Sequence, residues 1–418
     1  MSDSKAWVEL KALGVHAKRL EKPSTEQEAQ QILARAARER MTVLPVGGAT
    51  ALGTGILPES VDLVFDTTGL AKILAFDPRN LNLAVLAGMT LDAINEQLAK
   101  QERGFFLPLD PPLSHRTTIG GIYAANLSGP SRLRYGTLRD QALGVRGVDA
   151  QGREVGFGGK TVKNVSGYDL TRFFIGSAGS LCLITSLSLR VYPLPEVSSL
   201  CELFFENLKG LEEFLSALRA SVLIPSAVLA SDSSTGAALP AQKDLSFRVL
   251  ISFEGHPHAV DRQNRDTLSL AHKFGGTGQA RLGRESLLTN FKSVLNPDES
   301  MEELVVLKVT VPIAGGPRIL EALRNASLEA GIPCQQALFA GNGAIFLNAS
   351  GSNPEAAAFL LKRGKEIGRA AGGYAIPIRA HRDLLTGWGP RVDPVWHQCI
   401  LQPLKERLDP AGLFPPIL

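Results

Sequence analysis

The chain has 418 residues, so a prior of about 150 residues per domain sets an expectation of two or three domains. Hydrophobic residues make up 44% and charged residues 20%, which fits a globular chain and excludes long disorder. Lysine and arginine total 44 against 41 acids, and a surplus of +3 is too small for the broad basic field that nucleic-acid binding needs.

Thr25, behind Pro23 and Ser24 and ahead of Gln27 and Glu28, reads as the start of a helix. Ala29, Ile32, Leu33, Ala36 and Ala37 then recur at helical spacing. Met41 to Val46 is a short apolar run into Gly47-Gly48, the pattern of a buried strand. Val61 to Phe65 and Leu81 to Ala87 read as further strands, and Thr90 as the cap of a helix carrying Leu91, Ile94 and Leu98. Val145 to Val155 reads as a hairpin turning near Gln151-Gly152. Leu181 to Val191 alternates apolar and polar faces until Pro193 and Pro195 end the stretch. Beyond it come a helix near 209–220, strands near 246–253 and 304–312, and a helix near 317–330. From Pro390 onward the chain reads as a helix and a closing tail. Mixed order of this kind implies an α+β protein.

No apolar run approaches the roughly 18 residues of a membrane span. Residues 1–22 have neither a signal-peptide core nor a transit pattern, so a cytoplasmic location is expected. Cys182, Cys201, Cys334 and Cys399 lie far apart, without the clustering that iron–sulfur or structural zinc sites require. They read as small core residues, and no metal site is expected.

Glycine carries the functional signal. Of 41 glycines, 20 fall between Gly47 and Gly179. Leu44 to Gly55 couples a strand to paired glycines, which aims several backbone N–H groups into one concavity suited to a pyrophosphate. It is not a Walker loop, because Thr54 stands where the lysine belongs, nor a Rossmann fingerprint, because Pro58 stands where the third glycine belongs. The second glycine-rich loop runs from Thr117 to Gly129, after Asp110-Pro111-Pro112 and before Arg134-Tyr135-Gly136. The third comprises Lys163 to Leu170 and Gly176 to Thr185. Three such loops with few charges suit a large, flat, partly apolar ligand held by main-chain hydrogen bonds. His256 and His258 are too few for a metal and read as a solvated loop. Arg379, His381 and Arg382 read either as a carboxylate site or as a surface cationic cluster. Trp388 and Trp396 read as core or interface aromatics.

In this order and spacing the three segments resemble the FAD-binding domain of the vanillyl-alcohol oxidase/para-cresol methylhydroxylase (PCMH-type) flavoproteins. The resemblance implies that Pro45, Val46, Gly47, Gly48, Ala49 and Thr50 cradle the FAD pyrophosphate. It implies that Thr118, Gly120, Gly121, Asn126, Ser128 and Gly129 line the flavin, with Ile184 and Thr185 meeting it from the last strand. Lys163 to Asp169 and Leu408 to Phe414 further resemble the FAD-binding E-type subunits of bacterial glycolate oxidases (glycolate dehydrogenases). That implies a PCMH-type two-subdomain FAD domain over 1–195, an α+β cap over 196–389, and a segment 390–418 packing back on the FAD domain. Ala49 replaces the histidine of covalent relatives, so FAD should be bound non-covalently. Ala178 stands where many relatives have glutamate, and Pro415-Pro416 replace the usual tail. The stretch 340–348 carries no histidine where catalytic relatives have a metal motif, so no catalytic residue is assigned.

The implied function is oxidation of a short 2-hydroxy acid, within a complex that adds a second FAD-containing catalytic subunit and an iron–sulfur subunit. Peripheral association with the inner membrane would then come through partners. A stand-alone dehydrogenase or oxidase of another hydroxy compound and a non-catalytic FAD-bearing scaffold or electron relay remain open alternatives.

Overall fold

A computed structural model describes residues 5–159, 168–232, 247–283, 304–350, 353–385, 388 and 394–417. The chain forms two compact units. One comprises Met1–Ser128, Gly136–Leu194 and His381–Leu418, and the other Gly129–Tyr135 and Pro195–Ala380. The expected domain boundaries therefore shift: the tail of the first unit starts at His381 rather than at 390, and 129–135 join the second unit.

The first unit opens with helix α1 (Lys5–Ala12), strand β1 (His16–Glu21), helix α2 (Glu26–Arg38), β2 (Val43–Val46) and β3 (Ser60–Asp66). The three strands form a parallel sheet in the order β1-β3-β2. Strands buried on both faces are apolar throughout, as Val43, Leu44 and Val46 are. Thr25 caps α2 by accepting a hydrogen bond from the Glu28 N–H, and Glu28 reaches back to Ser24. Ala29, Leu33 and Ala36 of α2 pack on Val43, Leu63 and Phe65, while Ala6 and Leu10 of α1 pack with Leu44, Val46 and Val64. Each fully buried leucine contributes about 2 kcal/mol. Pro45, which has no N–H, fits because β2 is the edge strand. The carbonyl of Leu413 covers that edge, accepting from Val43 N at 2.7 Å.

A second, antiparallel sheet contains β4 (Ile73–Asp77), β5 (Asn82–Leu86), β7 (Ala142–Val148), β8 (Glu154–Gly158) and β9 (Leu183–Arg190), ordered β4-β5-β9-β7-β8. β6 (Phe105–Phe106) and β10 (Tyr192–Pro193) make a short antiparallel pair. Thr90 caps helix α3 (Leu91–Ala99), whose Leu91, Ile94 and Leu98 are buried. The stretch 117–129, expected as a loop, instead contains helix α4 (Ile119–Ala125). Two glycines in seven residues hide its helical pattern.

The second unit is one antiparallel sheet of eight strands: β11 (Val197–Phe205), β12 (Ala227–Asp232), β13 (Phe247–Gly255), β14 (Thr277–Leu282), β15 (Leu304–Thr310), β16 (Cys334–Phe339), β17 (Ala344–Ser350) and β18 (Tyr374–Arg379). Their order is β14-β11-β13-β12-β16-β17-β15-β18. Helices Leu208–Ala220, Pro257–Lys273, Gly316–Ala330 and Pro354–Ala370 cover one face, against residues such as Phe205, Leu338 and Leu307. His256 and His258 open the second of these helices and are not in a loop. Trp396, expected as a core or interface residue, is exposed, and so is Cys399.

Candidate functional site

Beyond Val46, β2 breaks into the turn Gly47-Gly48-Ala49-Thr50. Ala49 holds φ at +57°, in the left-handed region that costs a non-glycine residue energy. Among the described residues, the amides of Gly48, Ala49, Thr50 and Ala51 have no hydrogen-bond partner. Four such donors in sequence form an anion-binding nest.

Buried groups fix this turn from behind. Arg116 Nη2 donates to Gly48 O at 3.3 Å and pairs with Glu9 Oε1 at 2.8 Å. The Thr67 hydroxyl donates to Val46 O at 3.1 Å. Gly48 packs so closely that an added Cβ would stand 1.8 Å from the Arg116 carbonyl oxygen. Glycine is required there by the protein's own backbone.

Helix α4 supplies the facing wall. Thr118 caps it, its hydroxyl accepting from Gly121 N at 3.2 Å, and Gly120 N donates to Ala87 O at 2.8 Å. A Cβ on Gly121 would meet only Thr118 Oγ1, at 3.1 Å, and otherwise open space. The turn Gly176–Gly179 fastens onto the same helix, Gly176 N donating to Tyr123 O and Ala178 N to Ala124 O. Ala178 is a second alanine with positive φ, +51°.

These elements line an open cleft walled by main chain and small apolar side chains, the kind of lining that ligand clefts have. None of its lining residues is charged. Free amides beside an apolar, uncharged lining are the donor set that a dinucleotide with a pyrophosphate and a flat ring requires.

Ten of the fourteen expected residues line the cleft: Pro45, Val46, Gly47, Gly48, Ala49, Thr50, Thr118, Gly120, Gly121 and Ile184. Four do not. Asn126 is the exposed, left-handed C-cap of α4, and Ser128 is buried outside the cleft. Gly129 belongs to the second unit. Thr185 is the extra residue of a β-bulge in the β7–β9 pairing, and its hydroxyl, like that of Ser186, donates to Glu26 Oε1, at 2.7 Å. Within the third motif, 163–167 lie outside the described residues.

Sequence reading missed Ala87, Ala124 and Pro415 as lining residues. Only pairing and chain return bring them there. Cys182 also lines the cleft, with Sγ 3.3 Å from Val148 O, and burial pushes its thiol up to about 12. A thiol held neutral is a poor nucleophile, which together with Ala49 leaves the cleft no attachment point for a covalent flavin. Arg379 is buried in the second unit, whereas His381 and Arg382 belong to the first, near Asp383 and Glu59.

Residues 17–158 match the family model described as FAD binding domain. Over 214 residues the chain is 34% identical to the glycolate oxidase subunit GlcD of Bacillus subtilis, covering 51% of this chain and 45% of that one. Over 172 residues it is 36% identical to a D-lactate dehydrogenase of Archaeoglobus fulgidus, covering 41% and 38%. The chain thus spans less than half the length of these curated relatives. In structure it is similar to an alkyldihydroxyacetonephosphate synthase, with TM-score 0.71 and 19% identity over 94% of this chain and 76% of that one. It is also similar to 4-ethylphenol oxidase from Gulosibacter chungangensis, with TM-score 0.73 and 14% identity over 94% and 87%. These two likenesses establish the fold.

Proposed function

We propose that this chain, whose residues 17–158 match the FAD binding domain model, is the FAD-bearing subunit of a glycolate oxidase-type complex oxidising a short 2-hydroxy acid. The observation that carries the reading is the uncharged cleft with four unpartnered amides, Gly48 to Ala51, in a chain similar to 2-hydroxy-acid oxidising flavoproteins. Bound FAD supplies the acceptor for the hydride leaving the hydroxyl-bearing carbon.

The protein's own residues bind and position. The amide nest holds the pyrophosphate without a cation, and Arg116, anchored on Glu9, keeps the turn in shape. Gly121 would leave room for the ring, and Ile184 of β9 would supply an apolar wall to it. The stretch 340–348, mostly strand β17, has no histidine, so the hydroxyl proton goes to a base elsewhere. This favours dependence on a second FAD-containing catalytic subunit. Four dispersed cysteines favour an iron–sulfur partner as the next electron carrier.

Stopped-flow absorbance tests the reading. The isolated chain should bleach its flavin only negligibly with glycolate or D-lactate, and the complex assembled with its co-purifying subunits should bleach rapidly. Rapid anaerobic bleaching of the isolated chain would instead establish a stand-alone dehydrogenase.

A further inference from the structure

The second unit carries an open, mostly apolar groove. One side is the end of the helix Leu208–Ala220, with Leu218 and Arg219, and the stretch after it, with Ile224. The other is the short helix Arg132–Tyr135, with Leu133 and Arg134, and Val228 of β12 completes the lining. Gly341 lets Leu133 come close, since an added Cβ there would stand 2.7 Å from Leu133 Cδ1. Arg134 Nη1 donates to Glu254 O at 2.6 Å, and the Tyr135 hydroxyl donates to Glu254 Oε2 at 2.7 Å. These bonds fasten residues 132–135, remote in sequence, onto the end of β13.

What would cover the groove follows from its rim and its charge. Apolar surface continues past it: Ile224 is 66% exposed, and Val222, two residues earlier and outside the lining, is 78% exposed. Exposed apolar surface that continues a groove and is edged by charge marks a protein contact. The charge is of one sign. Among the described residues, Arg134 and Arg219 are the charged members of the lining, and neither meets a carboxylate.

These features separate the occupants. A small amphiphilic acid would fill the groove and leave Val222 in water. A second copy in a two-fold contact would bring together two patches of the same positive sign, which repel. Strand addition fails as well, because β12 is already paired on both edges, with β13 and β16. We propose that the groove seats an amphipathic helix of a partner subunit, with leucine-type side chains on one face and carboxylates beside them for Arg134 and Arg219. Side chains one turn apart on such a helix fill the groove and extend over Val222. This assignment rests on the proposed complex and adds which surface of this chain meets a partner.

Fluorescence anisotropy on the FAD-loaded full chain tests it, with two labelled synthetic helices as probes. Both carry leucines on one face, flanked in one by glutamates and in its twin by lysines. The glutamate helix should bind about tenfold or more tightly than the lysine helix. Arg219→Glu should reverse that preference, and Ile224→Asp should weaken both helices about tenfold. Both side chains are exposed, so circular dichroism and FAD per chain should match the parent. In gel filtration of the complex assembled with its co-purifying subunits, both variants should lose a subunit that the parent retains.

Equal binding of the twins, binding of neither, or no effect of the two variants overturns the docking site. So does octanoate displacing the glutamate helix at lower concentration than the unlabelled helix does, which would make the groove a small-molecule pocket. Self-association of the parent that Ile224→Asp abolishes also overturns it, in favour of a second copy. If both folded variants assemble as the parent does and the complex oxidises glycolate, the docking site fails and the functional reading stands. If the variants lose a subunit but the isolated parent chain bleaches its flavin rapidly with glycolate, the functional reading fails and the docking site stands.

Discussion

Lys405 and Asp409 form a buried ion pair, Nζ to Oδ2 at 2.6 Å, one helical turn apart. The same ammonium donates to the carbonyls of Ser180, at 2.6 Å, and Phe414, at 3.1 Å. Asp409 in turn accepts from the amides of Leu413 and Phe414. One pair thus ties the closing segment to the turn before β9 and sets Pro415 in the cofactor cleft.

Removing one member of this pair strands the other as a buried charge, which typically costs about 3–5 kcal/mol. Asp409→Asn should lower stability by an amount of that order in urea denaturation, and FAD content should fall with it. Wild-type stability in the variant would mean that the tail is held by apolar contacts alone.

The flavin should be fully extractable. Ala49 offers no nucleophile and the Cys182 thiol stays neutral, so acid precipitation should leave a colourless pellet and all flavin as free FAD in the supernatant. A yellow pellet would direct attention to Cys182 first.

Gly48→Val and Gly121→Val should fail differently. At Gly48 the added carbon collides with the Arg116 carbonyl, so the turn deforms and thermal stability drops. At Gly121 it enters the cleft, so the chain should fold normally and lose FAD affinity about a hundredfold. Gly315→Ala, where a Cβ meets nothing within 4 Å, is the control and should keep full FAD. Full FAD occupancy in folded Gly121→Val would mean that the ring lies elsewhere.

Asp62 gives an acid-range signature. Hydrogen bonds from Lys18 and Thr42 bring its pKa down to about 2. Its contribution to stability is fully present above the unfolded value near 4 and is lost as pH falls through about 2. Asp62→Asn should therefore be less stable than the parent at pH 6, by at most about 2 kcal/mol, because Lys18 is largely exposed. The difference should vanish near pH 2, as denaturant midpoints across that range would reveal.

What sequence alone could reach follows from these contacts. Helix α2, β2 and α3 were legible because caps and apolar spacing are local signals, and Thr25, Val43 and Leu91 stand where such signals place them. β4 escaped because it is an edge strand, mostly exposed, whose run Ile73 to Phe76 does not alternate. The amide nest was legible in Gly47-Gly48, since a turn that tight announces itself. Which way Ile184 and Thr185 face depends on the register of β9, and the lining role of Pro415 depends on a tail that returns after more than two hundred residues. Neither is a property of the local sequence.

That return has a consequence for synthesis. Every other residue lining the cleft lies between Leu44 and Ile184, but the last wall, Pro415, and the carbonyl that covers the edge of β2, Leu413, emerge from the ribosome more than two hundred residues later. Because Pro195–Ala380 of the second unit come between Ile184 and Leu413, the cleft is complete only after that whole unit has been made, and capture of the cofactor waits on its synthesis.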